Sequence, residues 1–340
     1  MPFAPDAYRA PWWLPGGHLQ TLFPYVFPRT FTLSYRRSRW ESADGDFIDL
    51  DWIDGPRAQP LIVLLHGLEG SSRSPYARDL MRAVGAIGWR GVVVHFRGCS
   101  EEPNRLPRAY HSGDAQEVDW ILRRLKERQD PNAPLLAVGV SLGANALLKW
   151  LGTQAEAALP VLDAAAAIST PFDLTAAACA LDHGVNRLLY TRHFLKTLVH
   201  KALTKIHTHA LALDAGALAR ARTFAEFDEH YTAPIHGFPS AAAYWQASSA
   251  KPWLIHVRVP TLLLNARNDP FLPEAALPAP CEVSRSIHLH FPRTGGHAGF
   301  FGAGFAGGAS WLSRHLLRYF SWSLAGRDTP EAGQAVGLRL

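Results

Sequence analysis

The sequence predicts an α/β protein, a mostly parallel sheet with helices on both faces and a helical cap inserted late in the chain. Three observations carry this expectation. Short apolar runs such as LIVLL at 61–65 and LLAVGV at 135–140 lack apolar/polar alternation, as expected of strands covered by helices on both faces. Amphipathic helical patterns separate these runs, which is the signature of β-α-β units. Residues 171–255 carry helical patterns and no strand pattern.

Taken in order, residues 1–30 form an N-terminal extension holding the segment GHLQT, and strands are expected at 31–37, 47–52, 61–65 and 91–96. Between the third and fourth strands, Ser74-Pro75 opens a helix whose Tyr76, Leu80, Met81 and Val84 fall on one stripe. A second helix over 114–128 buries Val118, Ile121, Leu122 and Leu125 and turns Arg123, Arg124, Lys126 and Glu127 to water. Further strands are expected at 135–140, 164–169, 261–266 and 286–291, with a closing helix near 310–323. The glycine-rich run from Gly295 to Gly308 reads as a loop leading into that helix. The core is therefore expected at 31–170 and 256–340, with the cap at 171–255.

Within the cap, Phe194, Leu198, Ala202 and Ile206 recur at four-residue spacing opposite Lys196, His200, Lys201 and Lys205. Such a face packs on a core in most proteins, and that is the expectation here; weak contact with an anionic membrane surface through the cap is the alternative.

Composition narrows the function classes. Of 340 residues, 48% are hydrophobic and 19% charged, which excludes a disordered chain. The net charge of +5 comes from 34 scattered basic residues, so no nucleic-acid partner is expected. No apolar run is long enough to span a bilayer, and the first residues lack a signal-peptide pattern. Cys99, Cys179 and Cys281 are odd in number and read as reduced thiols, which points to a cytoplasmic protein. The pairs His207/His209 and His288/His290 lack the partners and spacing of a zinc site, so no metal and no cofactor is expected.

The chemistry is concentrated in three places. Gly139-Val140-Ser141-Leu142-Gly143 stands between an apolar strand and a helical pattern, the setting of a nucleophile elbow, where the tight turn demands small flanking residues. A serine hydroxyl is a weak nucleophile until an imidazole accepts its proton and a carboxylate orients that imidazole. Asp269 follows the strand TLLLNA and His297 follows SIHLHF, so both fall at strand ends that share one crevice. The order Ser, Asp, His is that of the α/β-hydrolase fold. Asp173, after the sixth strand, is a competing acid.

Acyl transfer also requires two backbone N–H donors for the developing oxyanion. Leu142 is the first candidate, and Leu68 in His66-Gly67-Leu68-Glu69-Gly70 the second, with Gly67 as its alternative. His66 is expected to brace this loop. Leu188, Leu189 and Phe194 are the candidate substrate-binding residues, because an apolar cap surface suits an acyl chain.

The chain resembles the YheT-like branch of the α/β-hydrolase superfamily, related to the animal abhydrolase-domain proteins. The resemblance rests on PWWLPGGHLQTLFP ending at Pro24, HGLEGSSRSPYARDL at 66–80, HFRGCS at 95–100, GVSLGANALLKWLG at 139–152, FAEFDEHYTAPIHGF at 224–238, NARNDPFLP at 265–273 and GGHAGF at 295–300. It implies a broad carboxylesterase class, with some relatives acting on lipid esters or in acyl transfer, and it places the triad on Ser141, Asp269 and His297. No catalytic role follows for Gly17-His18-Leu19-Gln20-Thr21; a clasp placing Trp12 and Trp13 against the core or cap is expected.

Ester hydrolysis of a small-molecule or lipid substrate is thus the leading function. An acyltransferase acting on lipid or alcohol acceptors would use the same triad. A noncatalytic binding or membrane-associated module would use the fold alone.

Overall fold

The computed structural model describes residues 3–29, 31–302 and 309–326. Eight strands form one sheet: β1 (Arg36–Glu41), β2 (Phe47–Ile53), β3 (Leu61–Leu65), β4 (Arg90–Val94), β5 (Leu135–Val140), β6 (Ala164–Ile168), β7 (Thr261–Leu264) and β8 (Ile287–His290). Their spatial order is β1-β2-β4-β3-β5-β6-β7-β8. From β3 onward every pairing is parallel, while β1 and β2 run antiparallel to their neighbours.

The absence of alternation in the apolar runs has a direct cause. Leu61, Val63 and Leu65 bury into one layer with Val118, Ile121 and Leu122 of α3 (Ala115–Arg128) and Leu147 and Leu151 of α4 (Leu142–Gln154). Ile62 and Leu64 bury on the opposite face with Leu80, Met81 and Val84 of α2 (Pro75–Ala86) and with Leu316 and Phe320 of the closing helix at 311–325. Successive residues point to opposite faces, and both faces are dry. Asp114 caps α3 by accepting from the Glu117 amide, and Pro75 starts α2 after Ser74, as the local sequence requires.

The first strand departs from expectation. It lies at 36–41 rather than 31–37, because its register is set by charge: Arg37 faces Asp51 and Arg39 faces Asp49 across β2, with N–O distances of 2.7 and 2.8 Å. Cross-strand ion pairs replace the apolar run that would otherwise mark a strand. Residues 16–26 also form a helix, α1 (Gly16–Val26), which buries Gln20 and Thr21.

Between β6 and β7 the chain is helical throughout its regular elements, including α5 (Leu174–Leu181), α6 (Arg192–Thr208) and α7 (Ala241–Ser248). This segment has an apolar cluster of its own, in which Leu195, Leu198, Ala202 and Ile206 meet Leu218, Phe224, Phe227 and Tyr231. Leu195, not Phe194, heads the buried stripe of α6. The lysines opposite this stripe are partly engaged by the core. Lys201 pairs with Glu69 at 2.8 Å, and the Lys205 ammonium donates to Asn104 Oδ1 and to the Leu106 and Arg108 carbonyls at 2.6, 2.9 and 2.7 Å.

The closing helix, α8 (Trp311–Ala325), follows the glycine-rich run, of which residues 303–308 lie outside the described residues. No helix among the described residues is long and apolar enough to cross a membrane.

Candidate active site

Parallel strands deliver their loops to one edge of the sheet, and the residues singled out above follow four of them: Leu68 after β3, Ser141 after β5, Asp269 after β7 and His297 after β8. Ser141 has φ +54° and ψ −119°, a conformation costly for a residue with a side chain. The surroundings enforce it. The Ser141 amide extends the sheet by donating to Ile168 O at 2.8 Å, and its carbonyl at once accepts from Ala144 and Asn145 as α4 begins. A Cβ at Gly143 would lie 2.4 Å from Leu65 O, so only glycine lets α4 start this close to β3.

Ser141 Oγ lies 2.9 Å from His297 Nε2, and His297 Nδ1 lies 2.9 and 3.1 Å from the two carboxylate oxygens of Asp269. A carboxylate only accepts, so Nδ1 carries the proton and Nε2 is left to accept from the serine hydroxyl. Asp269 is itself fixed by the Phe271 amide, which donates to Oδ1 at 2.8 Å. The Phe271 ring stacks on the His297 imidazole with centroids 3.9 Å apart and planes 17° apart. Asp269 and His297 are both buried.

The loop after β3 distributes its amides selectively. Gly67 donates to the Tyr76 hydroxyl and Glu69 to the Tyr110 hydroxyl, each at 2.9 Å. The Leu68 amide between them has no acceptor among the described residues. The Leu142 amide, at the first position of α4, likewise has none. His66 sits beneath this loop, fully buried, with Nδ1 2.8 Å from Gly67 O and Nε2 accepting from the Phe96 amide at 3.1 Å. Burial pushes its imidazole down to about 3, so it is neutral and serves as a brace.

The remaining expected residues are placed as follows. The Asp173 carboxylate accepts from the Ala176 amide at 3.0 Å and caps α5. Leu188 and Leu189 are 70% and 42% exposed, on the turn preceding α6. Phe194 is half-buried and meets the Phe271 ring at 6.2 Å. Tyr190, buried beside the two exposed leucines, approaches Phe271 more closely, at 4.7 Å. Trp12 is 91% exposed, which overturns the expectation that it packs against core or cap; Trp13 does pack, on Phe23 and Phe301.

Sequence reasoning missed Phe271 and the set Gln20, Thr21, Ser169 and Asn268, whose side chains meet the amides of the His297 loop. Phe271 had a signal, since it stands two residues from Asp269. Gln20, Ser169 and Asn268 are ordinary polar residues whose role depends on a loop distant in sequence.

The α/β hydrolase fold family matches residues 60–303 of this chain. The chain belongs to that family. YheT of Escherichia coli (strain K12) is 40% identical over 88% of this chain and 88% of its own length, which makes this protein a YheT-like member of the esterase and lipase type. Human phospholipase ABHD3 is 30% identical over 88% of this chain and 75% of its own length. The medium-chain fatty acid ethyl ester synthase/esterase 2 of Saccharomyces cerevisiae is 30% identical, covering 77% of this chain and 62% of the yeast protein. Among solved structures, Est1E from Butyrivibrio proteoclasticus shares the fold at a TM-score of 0.54 and 12% identity, over 86% of this chain and all of that one (100%).

Proposed function

We propose that this α/β hydrolase cleaves carboxylic esters through an acyl-serine intermediate, with Ser141 as nucleophile, His297 as general base and acid, and Asp269 as the group that orients and supports His297. The observation that carries the reading is the continuous hydrogen-bonded path from Ser141 Oγ through the imidazole to Asp269. In the first step Ser141 Oγ bonds to the ester carbonyl carbon while its proton passes to His297 Nε2. The developing oxyanion is met by the Leu68 and Leu142 amides, neither of which has an acceptor among the described residues. The C–O bond to the leaving alcohol then breaks, and Nε2 returns the proton to that oxygen. Water repeats the sequence on the acyl-enzyme, giving up a proton to Nε2 and releasing the carboxylic acid and free Ser141.

In this reading, residues 171–255 act as a cap, and the rings of Tyr190, Phe194 and Phe271 form an apolar wall beside the imidazole that favours an acyl chain. Lipid or other apolar esters are therefore the substrate class. Membrane-surface contact through the lysine face of α6 has less support, because Lys201 and Lys205 are occupied by Glu69 and by backbone carbonyls.

Labelling with a fluorophosphonate, followed by an ester panel graded in acyl length, tests the proposal. The wild-type protein should be labelled at Ser141 and turn over esters, whereas Ser141→Ala should lose labelling and several orders of magnitude of turnover while staying folded. Undiminished turnover by Ser141→Ala would remove the nucleophile assignment. Product analysis with added alcohol separates hydrolysis from acyl transfer.

A further inference from the structure

The His297 loop has no regular structure of its own, yet each of four successive amides in it is held by a side chain. Gly295 N donates to Gln20 Oε1 at 2.8 Å, Gly296 N to Asn268 Oδ1 at 3.0 Å, His297 N to Thr21 Oγ1 at 2.9 Å and Ala298 N to Ser169 Oγ at 2.8 Å. Two of the four acceptors come from α1, an element some 275 residues earlier in the chain. Gln20 is 1% exposed and fully engaged: its amide nitrogen donates to Leu14 O at 2.8 Å, and its oxygen also accepts from Asn268 Nδ2 at 3.1 Å. Asn268 adjoins Asp269, so one glutamine oxygen ties the loop carrying the acid to the loop carrying the base.

The helix is seated closely enough to make these contacts specific. A Cβ at Gly17 would fall 2.0 Å from Asn268 O, so α1 abuts the acid loop backbone only because residue 17 is glycine. Thr21 Oγ1 donates to Gly17 O at 2.7 Å, which leaves its lone pair aimed at the His297 amide. At the outer end, His18 Nδ1 lies 3.1 Å from the Tyr190 hydroxyl and connects α1 to the segment preceding α6.

We infer that Gln20 and Thr21 are positioning residues: α1 holds the backbone of the His297 loop so that the imidazole meets both Ser141 and Asp269. The inference rests on the triad reading above for its catalytic meaning, and on hydrogen bonds alone for its structural meaning. The Gly-His-Leu-Gln-Thr segment thus clasps the base loop, and its buried face, not the tryptophans ahead of it, does the holding. A loop amide deprived of its acceptor would let residues 295–298 sample other conformations, with the imidazole drifting from a geometry that tolerates little displacement.

Thr21→Val keeps the side-chain shape and removes the acceptor, Thr21→Ser keeps the acceptor, and Gln20→Met removes the acceptor that Gly295 and Asn268 share. Hydrogen exchange of a peptide covering 293–301 is measured beside kcat, KM and fluorophosphonate labelling, well below each variant's unfolding midpoint. Thr21→Val is expected to exchange faster in that peptide, to label about 10-fold to 100-fold more slowly and to lose kcat in proportion, with KM within about threefold of wild type. Thr21→Ser is expected to restore all three. Gln20→Met should behave as Thr21→Val does, and decides the matter if the valine variant does not fold. Unchanged exchange in folded Thr21→Val and Gln20→Met, or faster exchange with undiminished labelling, overturns the inference. An inert, unlabelled wild-type protein instead removes the triad reading, and the exchange result still decides whether the clasp exists.

Discussion

At the scale of single residues, two aspartates that look alike in the sequence have different work. Both Asp173 and Asp269 follow a core strand and lie close to a proline. Asp269 accepts from His297 Nδ1, whereas Asp173 accepts from the Ala176 amide at the start of α5. Asp269→Asn should therefore favour the wrong imidazole tautomer and cost on the order of ten-thousand-fold in turnover with little change in fold. Asp173→Ala should leave turnover near wild type and lower stability by about 1 kcal/mol, the ordinary worth of a helix cap. Turnover and urea midpoints of the two variants check both statements; a large turnover loss in Asp173→Ala would reassign the acid.

At the scale of elements, the segment before α6 divides sharply between residues that face water and residues that reach the site. Leu188 is 70% exposed, while Tyr190 and Phe194 contact Phe271, and Phe271 stacks on His297. Phe194→Ala should shift the preference among acyl lengths, by at most roughly 1–3 kcal/mol per pocket methylene, and leave the smallest esters nearly unaffected. Leu188→Ala should change nothing on any ester. Equal losses for Phe194→Ala across the whole ester series would mark the ring as structural support. Periodicity alone placed Leu198, Ala202 and Ile206 on the buried stripe but not the residue that heads it, because Phe194 by a four-residue step and Leu195 by a three-residue step both lead to Leu198. The cluster this stripe packs into includes Phe224 and Phe227 from another helical turn, and Phe194 lies half-buried against the same cluster with its ring 6.3 Å from Phe224.

For the molecule as a whole, burial of imidazoles makes the fold sensitive to acid. His66 and His315 are both fully buried, and burial lowers each from its ordinary value of 6.5 to about 3. Between these values the unfolded chain binds protons that the folded chain refuses. Stability is therefore fully present above pH 6.5 and is lost as pH falls toward 3, by about 1.4 kcal/mol per pH unit for each histidine. Urea midpoints measured from pH 7.5 down to 4.5 should decline, and His315→Phe should flatten the decline by one histidine's share. Replacing His315 also removes a buried Nδ1 that has no hydrogen-bond partner among the described residues, at the cost of the 3.1 Å contact between its Nε2 and His290 Nδ1, so the variant is expected to fold. A flat profile in the wild type would mean that these imidazoles are hydrated or protonated in the folded state.

Much of this was legible in the linear sequence for a local reason. Strands buried on both faces must be apolar at every position, a serine at a strand-to-helix turn needs small neighbours, and strand ends in a parallel sheet share one edge. Those rules involve residues within a few positions of each other; they located seven of the eight strands and singled out Ser141, Asp269 and His297, which the structure brings into one hydrogen-bonded chain. The first strand escaped because Arg37 and Arg39 take their places from Asp51 and Asp49 on the neighbouring strand. A clasp was expected of the segment at 17–21, but the amides its side chains meet escaped for the same reason on a larger scale. Gln20 and Thr21 carry no chemistry in themselves, and only the packing of α1 on the loops after β7 and β8 supplies the amides they hold. Local rules determine what each segment can be, whereas a polar side chain's partner is chosen by whichever buried donor the fold brings within reach, since a buried amide left unpaired costs more than the bond returns.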